Sequence, residues 1–341
     1  MERTEIGDLG EFGLIEHLTR NIEIQNVSTI LGVGDDAAVI DHYGKQTIVT
    51  TDLLIEGVHF DLAYTPLKHL GYKSVVVNLS DVYAMNATPT QITVSVGISN
   101  RFSLEAIDEF YEGVYAACNK YGVDLVGGDT ASSQKGFIIS VTAIGEVAPD
   151  MFVKRSTAKN GDLLCVSGNL GSAYVGLLFL EREKKIFMES PGVQPDLEGE
   201  SFVIGKLLKP EARKDIVEFF EEKEITPTAM LDVSDGLSSE ILHLCKDSSL
   251  GCVLYEEKIP IAEEMKKAAY KFEIDPTACA ISGGEDYELL FTIAQADHDK
   301  LVLNEQISVI GYMTDADQGA NILTKGGGKH KITAQGWNHM G

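Results

Sequence analysis

Apolar and polar positions along this chain switch repeatedly between a helical period and short strand-like runs. Phe12, Leu14, Ile15 and Leu18 recur at helical spacing and predict an amphipathic helix over 11–20. Compact apolar runs predict strands at Gln46–Thr51, Ser74–Leu79 and Gln91–Ile98. Ser103–Tyr121 predicts a helix, with Ser103 as its cap and Glu105–Glu109 in its first turns. A short buried strand at Asp124–Val126 delivers Gly127-Gly128-Asp129, and Phe137–Gly145 forms another. Pro149-Asp150 marks a break. Beyond it, Leu163–Ser167 predicts a strand, Gly171–Glu183 a helix, 186–200 an exposed loop and Ala212–Lys223 a helix. Met230–Val233 and Tyr287–Ile293 predict strands, a helix starts near Leu237, and the tail from Ser308 is rich in strands and turns. The expected fold class is α/β (α+β) in two domains. Residues 1–149 carry a mixed sheet and residues 150–341 a second α/β domain.

The aspartates change this picture most. Asp35-Asp36, Asp52, Asp81, Asp129 and the pair Asp232 and Asp235 each follow an apolar run and stand beside glycine, serine or threonine. Repeated acidic clusters of this kind predict one site that gathers hard cations. Mg²⁺ prefers carboxylate oxygen, keeps several waters, and meets proteins through a few carboxylates plus substrate phosphates. Thr50-Thr51-Asp52 and Asn78-Leu79-Ser80-Asp81 put hydroxyls near carboxylates, although either could cap a helix instead. Gly127-Gly128-Asp129-Thr130 combines backbone free to approach phosphate with a carboxylate free to hold its cation. Asp232-Val233-Ser234-Asp235-Gly236 places two acids and a hydroxyl at a strand end before a helix, where an anion is favoured. Ser282-Gly283-Gly284-Glu285-Asp286-Tyr287 is a further acidic glycine turn. Arg155 is a candidate phosphate clamp, because guanidinium pairs phosphate bidentately. His59 has nothing local that makes it a base. Trp337, the one tryptophan, sits in a polar tail and suits stacking on a flat ligand or packing.

Charge narrows the partners. Twenty-eight basic residues against 52 acidic ones give a net charge of 28 − 52 = −24. That surface repels nucleic-acid backbones and anionic lipid, so neither is an expected partner. It also repels nucleotides, so a phosphate substrate needs bound cations. Cys118, Cys165, Cys245, Cys252 and Cys279 are scattered without ligand spacing, as in reduced, buried thiols of a cytoplasmic protein. No secretory h-region follows Met1, and no apolar run is long enough to span a bilayer. The chain lacks GxxxxGK[ST], since Gly326-Gly327-Gly328-Lys329-His330 has the wrong spacing, and it lacks the protein-kinase motif set.

With these residues in view, the chain resembles the thiamine-monophosphate kinases, of the superfamily that includes aminoimidazole ribonucleotide synthetase and selenophosphate synthetase. The resemblance runs through Gly10–Ile15, Gly34–Ala38, Thr51–Phe60, Asn78–Asp81, Gly127–Thr130, Arg155-Ser156, Asp232–Leu237, Ser282–Leu289 and the Gly336–His339 tail. It implies transfer of the ATP γ-phosphoryl group to thiamine monophosphate, with Mg²⁺ as cofactor. It further implies that Asp36, Thr50, Thr51, Asp52, Asp81, Asp129, Asp232 and Asp235 hold several Mg²⁺ ions. Tyr111, Gly128, Asp129, Arg155 and Ser234 would meet ATP, and His59, Glu285 and Trp337 the thiamine phosphate. No residue is expected to act as general base. A homodimer joined through the N-terminal sheet is also implied. The chain departs from the family pattern at Thr50, where serine is frequent, at Asn86 for glycine, and at Asn338 and Met340 for aspartate and phenylalanine. Two alternatives stand beside this: another ATP-dependent member of the superfamily, or a non-catalytic cation- or nucleotide-binding protein.

Overall fold

The fold is taken from a computed structural model that describes residues 17–31, 39–40, 44–301 and 304–333. The expected helix over 11–20 falls mostly outside these residues. The chain divides into two compact units: Met1–Tyr83 with Ala87–Asp150, and Ala84–Asn86 with Met151–Gly341.

The first unit contains β1 (Thr29–Leu31), β2 (Val39–Ile40), β3 (Gln46–Ile55), α1 (Leu67–Ala84), β4 (Thr88–Ile98), α2 (Leu104–Tyr121), β5 (Asp124–Ser132) and β6 (Phe137–Val147). Four strands form a mixed sheet in the order β3-β6-β4-β5, antiparallel except for the parallel pair β4 and β5. Ser103 caps α2 as expected, its Oγ accepting the Ala106 N–H, and Gly122 closes the helix in the left-handed region at φ 71°.

One expected strand is a helix. Ser74–Leu79 lies inside α1, not in the sheet. Its β-branched run reads as a strand locally, but Leu70, Val75, Val76, Leu79 and Val82 are all fully buried. A helix buried on nearly every side shows no clear polar stripe, so periodicity cannot distinguish it from a strand. Two glycines let α1 meet α2 backbone to backbone. A Cβ on Gly71 would overlap the Phe110 carbonyl, and one on Gly113 the Lys68 carbonyl. Beneath them Phe137 packs edge-on against Phe110 at 5.0 Å.

The second unit contains β7 (Leu163–Ser167), α3 (Ser172–Glu189), α4 (Ser201–Leu208), α5 (Lys214–Glu222), β8 (Ala229–Asp232), α6 (Leu237–Ser248), β9 (Leu250–Tyr255), α7 (Glu263–Tyr270), α8 (Pro276–Ser282), β10 (Leu289–Ile293), β11 (Ile307–Asp315), β12 (Ala320–Leu323) and β13 (Lys329–Lys331). Its seven-stranded sheet runs β13-β12-β9-β11-β7-β10-β8. Helix α3 continues through Glu189, so the expected loop from 186 begins four residues later. The apolar core includes Leu164, Val175, Phe179, Leu231, Ile241 and Leu290 on one side of this sheet. A second cluster forms around Ile216, Phe220, Met230 and Phe291. At ~1.5–3 kcal/mol per buried large apolar side chain, these clusters dominate the stability of the unit.

Candidate active site

In the first unit, the pleat of β3 sorts the candidate residues. Thr50 and Asp52 point to the face covered by α1, because side chains alternate along a strand. Thr50 Oγ1 donates to Asp81 Oδ2 at 2.7 Å, and the Asp52 N–H donates to Asn78 Oδ1 at 2.9 Å. Asn78 and Asp81 lie one helical turn apart on α1, so one helix face meets the strand. Asp81 is therefore delivered by a helix and not by a strand end. Burial and then repulsion by Asp81 push the Asp52 carboxyl up to about 6. Two crowded acids and a hydroxyl form a donor set that suits a hard cation.

Thr51 points to the other face. Its Oγ1 donates to the Val141 carbonyl at 3.0 Å and accepts from Thr142 Oγ1 at 3.1 Å, so its hydroxyl is not gathered with Thr50, Asp52 and Asp81. Gly128 and Asp129 sit within β5, an exposed edge strand. A Cβ on Gly128 would overlap the Val94 carbonyl, so only glycine lets β5 lie this close to β4. Asp52 aligns across the sheet through Val141 and Val94 to Gly128. The backbones of Asp52 and Gly128 thus stand at opposite edges, about 14 Å apart at ordinary strand spacing, and Asp129, one residue on, points to the opposite face from Asp52. Among the described residues, no group of three or more His, Cys, Asp and Glu gathers as a ready cation cage.

His59 lies in a tight turn with Gly57 at φ 81°. Its Nδ1 accepts the Ile55 N–H at 3.0 Å, which assigns the remaining ring proton to Nε2 as a donor. Tyr111 is buried in α2, its ring T-shaped against Phe110 at 5.4 Å and tilted on Tyr115 at 6.1 Å.

In the second unit, β8 ends at Asp232, which is 8 % exposed, and the chain turns through Ser234 and Asp235 into α6. The helix N-cap is Gly236 at φ 109°, without a side-chain cap. The acidic glycine turn 282–288 is stitched to this turn. Glu285 N–H donates to the Ser234 carbonyl at 2.7 Å, Tyr287 N–H to the Val233 carbonyl at 2.9 Å, and Val233 N–H to the Glu288 carbonyl at 2.7 Å. Glu285 and Tyr287 are both left-handed, at φ 67° and 51°. The Arg155 head is 57 % exposed, and its Nε lies 3.3 Å from Asp247 Oδ2. A partner missed in the sequence is Glu240 of α6, whose Oε1 accepts the Asp235 N–H at 3.2 Å. Burial pushes its carboxyl up to about 7; the Asp235 N–H bond opposes this, the Asp235 charge adds to it, and the Arg155 charge lowers it. The Arg155 charge is thus felt at the same turn as Asp235. Only the burial of an acid on an amphipathic helix could have flagged Glu240. Asp36 and Trp337 lie outside the described residues.

Comparison with known proteins defines a class first. Residues 34–147 match the family of AIR synthase related proteins, N-terminal domain. The thiamine-monophosphate kinase of Aquifex aeolicus (strain VF5) is 34% identical over 335 residues, covering 98% of this chain and 99% of that protein. That of Bacillus subtilis (strain 168) is 31% identical, covering 97% and 100%. A solved structure described as AaThiL complexed with AMPPCP and TMP superposes with a TM-score of 0.75 at 31% identity, covering both chains fully. The chain belongs to the thiamine-monophosphate kinase family, and it is a kinase, a phosphotransferase. Its two-sheet α/β fold agrees with that class. No helix among the described residues is long and apolar enough to cross a membrane, and the five cysteines are buried and free.

Proposed function

We propose that the chain transfers the γ-phosphoryl group of ATP to the phosphate of thiamine monophosphate, giving thiamine diphosphate and ADP. The observation that carries this is the near-full-length likeness to thiamine-monophosphate kinases, one of them described with AMPPCP and TMP. The acceptor phosphate is already ionised at neutral pH, so the reaction needs no general base. It needs relief of charge repulsion. Two unit charges 4 Å apart interact by about 4 kcal/mol at an effective dielectric of 20, and two polyphosphates multiply this.

We assign Asp36, Thr50, Thr51, Asp52, Asp81, Asp129, Asp232 and Asp235 to Mg²⁺, the hydroxyl–carboxylate set of Thr50, Asp52 and Asp81 fitting best. Bound magnesium would supply charge cancellation and alignment of the two anions. Tyr111, Gly128, Asp129, Arg155 and Ser234 are assigned to ATP. Of these, Gly128 is exposed on the edge strand β5 and Arg155 offers an exposed fork. His59, Glu285 and Trp337 are assigned to the acceptor. The His59 Nε2–H suits a phosphate oxygen, and the Glu285 carboxylate complements the cationic thiazolium ring. Catalysis is then positioning plus electrostatics, in one in-line step without a phospho-enzyme. A homodimer joined through the first sheet is also proposed. Its support is the edge strand β3, where Val49 and Leu53 are 62 % and 51 % exposed.

Phosphorus NMR of the protein with ATP, Mg²⁺ and thiamine monophosphate should show thiamine diphosphate and ADP accumulating together. With a chirally labelled γ-phosphate the product should be inverted. Retention would overturn direct transfer, and no turnover would favour a non-catalytic binder.

A further inference from the structure

The turn that carries Glu285 is held by two buried acids that the proposed reaction does not use. Glu285 and Tyr287 flank Asp286, and both have left-handed backbones that favour glycine. Asp286 is 6 % exposed. Its Oδ2 accepts the Gly171 N–H at 2.6 Å and its Oδ1 the Ala173 N–H at 3.4 Å. These amides open α3, whose own N-cap, Gly171, offers no side chain. Asp286 therefore caps a helix 113 to 115 residues earlier in the chain and ties the turn to that rigid element.

Glu288 is the second anchor, at 2 % exposure. Its Oε2 accepts from Ser167 Oγ at 2.7 Å and pairs with Arg213, and its Oε1 lies 3.5 Å from Lys206 Nζ. Ser167 Oγ in turn accepts the Leu289 N–H at 2.9 Å. Arg213 is fixed from behind by Asp215 at 2.7 Å. The two anchors come from different elements, α3 on one side and the β7–α5 network on the other. They alternate with the two strained residues, and of these four side chains the one at the partly open surface of the turn is Glu285.

We propose that Asp286 and Glu288 are positioning residues for the phosphate acceptor: they lock the left-handed turn and so fix where the Glu285 carboxylate stands. This rests on the assignment of Glu285 to the acceptor. A misplacement of a binding group by a fraction of an ångström is enough to weaken a charged contact, because such contacts depend steeply on distance and direction.

The test is a double-mutant cycle. Asp286→Asn and Glu288→Gln keep shape, and each is made alone and with Glu285→Ala. Steady-state kinetics are measured separately for thiamine monophosphate and ATP, and thermal melting checks the fold. Each single variant should lower kcat/KM for thiamine monophosphate on the order of tenfold. The effect on KM for ATP should be much smaller; Asp286→Asn should melt no lower than wild type, and Glu288→Gln, which leaves the buried Arg213 with Asp215 alone, is assayed well below its own melting midpoint. Combined with Glu285→Ala, neither should add a further loss, since each acts through that carboxylate. A purely structural role would multiply with Glu285→Ala, and that result overturns the proposal. So would unchanged kinetics in the singles while Glu285→Ala is impaired. If Glu285→Ala itself leaves thiamine-monophosphate kinetics intact, the acceptor assignment fails instead. Ser167→Ala, which deletes one hydroxyl from the Glu288 anchor, replaces any variant that does not fold and is judged by the same cycle.

Discussion

Replacing Glu285 by glycine separates the needs of the fold from those of the reaction. Glu285 sits at φ 67°, where a non-glycine residue pays a steric penalty. That penalty is roughly 1–2 kcal/mol for an L-residue in the left-handed region. Glycine removes it but loses about 0.5–1 kcal/mol to the greater freedom of the unfolded chain. These backbone terms alone give Glu285→Gly a gain of about 0–1.5 kcal/mol, from which the loss of the side chain's own interactions in the turn subtracts. For a unit of this size (residues 84–86 with 151–341), each kcal/mol moves the melting midpoint by about 2–4 °C. The ligand-free variant should melt within a few degrees of wild type, while its kcat/KM for thiamine monophosphate collapses. Tyr287→Gly is the control, with the same relief at φ 51° but a side chain only 8 % exposed. Losing a buried aromatic costs about 3–5 kcal/mol, so burial wins there and melting should fall. The assay is calorimetry without ligand, followed by kinetics at saturating ATP. If Glu285→Gly melts several degrees below wild type, the glutamate holds the turn by its own contacts. The strain is then no sign of a side chain retained for its ligand.

Asp52→Asn or Asp81→Asn should cripple turnover while leaving the fold intact, because each removes a proposed cation ligand from an already crowded acidic pair. Near-wild-type kcat at saturating Mg²⁺ in either variant would remove that residue from the metal set. The pH dependence of stability should carry the mark of Asp286, whose carboxyl burial pushes up to about 7 from an ordinary 3.8. The folded state binds this proton more tightly than the unfolded chain. Its contribution is therefore full below the unfolded value, declines as pH rises through the window to about 7, and is then lost. Asp286→Asn should gain stability relative to wild type between pH ~4 and ~7.5, by roughly 4 kcal/mol at most. Denaturant titrations across that range would show parallel curves if the group does not titrate there.

Much of the fold follows from local pattern. Ser103 caps its helix, Leu163–Ser167 and the strand leading to Asp232 form where their apolar runs lie, and the chain turns into α6 at the expected residue. These signals are legible because a cap or a short buried strand is decided by a few neighbouring residues. Ser74–Leu79 was not legible, since a helix buried all round and a buried strand share one composition. The residue types that bind cations and phosphate were equally plain in sequence, as hydroxyls, carboxylates and glycines in short turns. Which of them face one another was not. The pleat turns Thr51 away from Thr50 and Asp52, α1 brings Asp81 to β3, and the sheet order holds Asp129 on the far edge. Asp286 and Glu288 gain their roles only through partners far away in the chain. Sequence thus determined the chemistry available to this protein, because that is a property of single residues and short turns. Tertiary structure decided which groups meet, because strand order, pleat and helix docking are settled by packing across the whole unit.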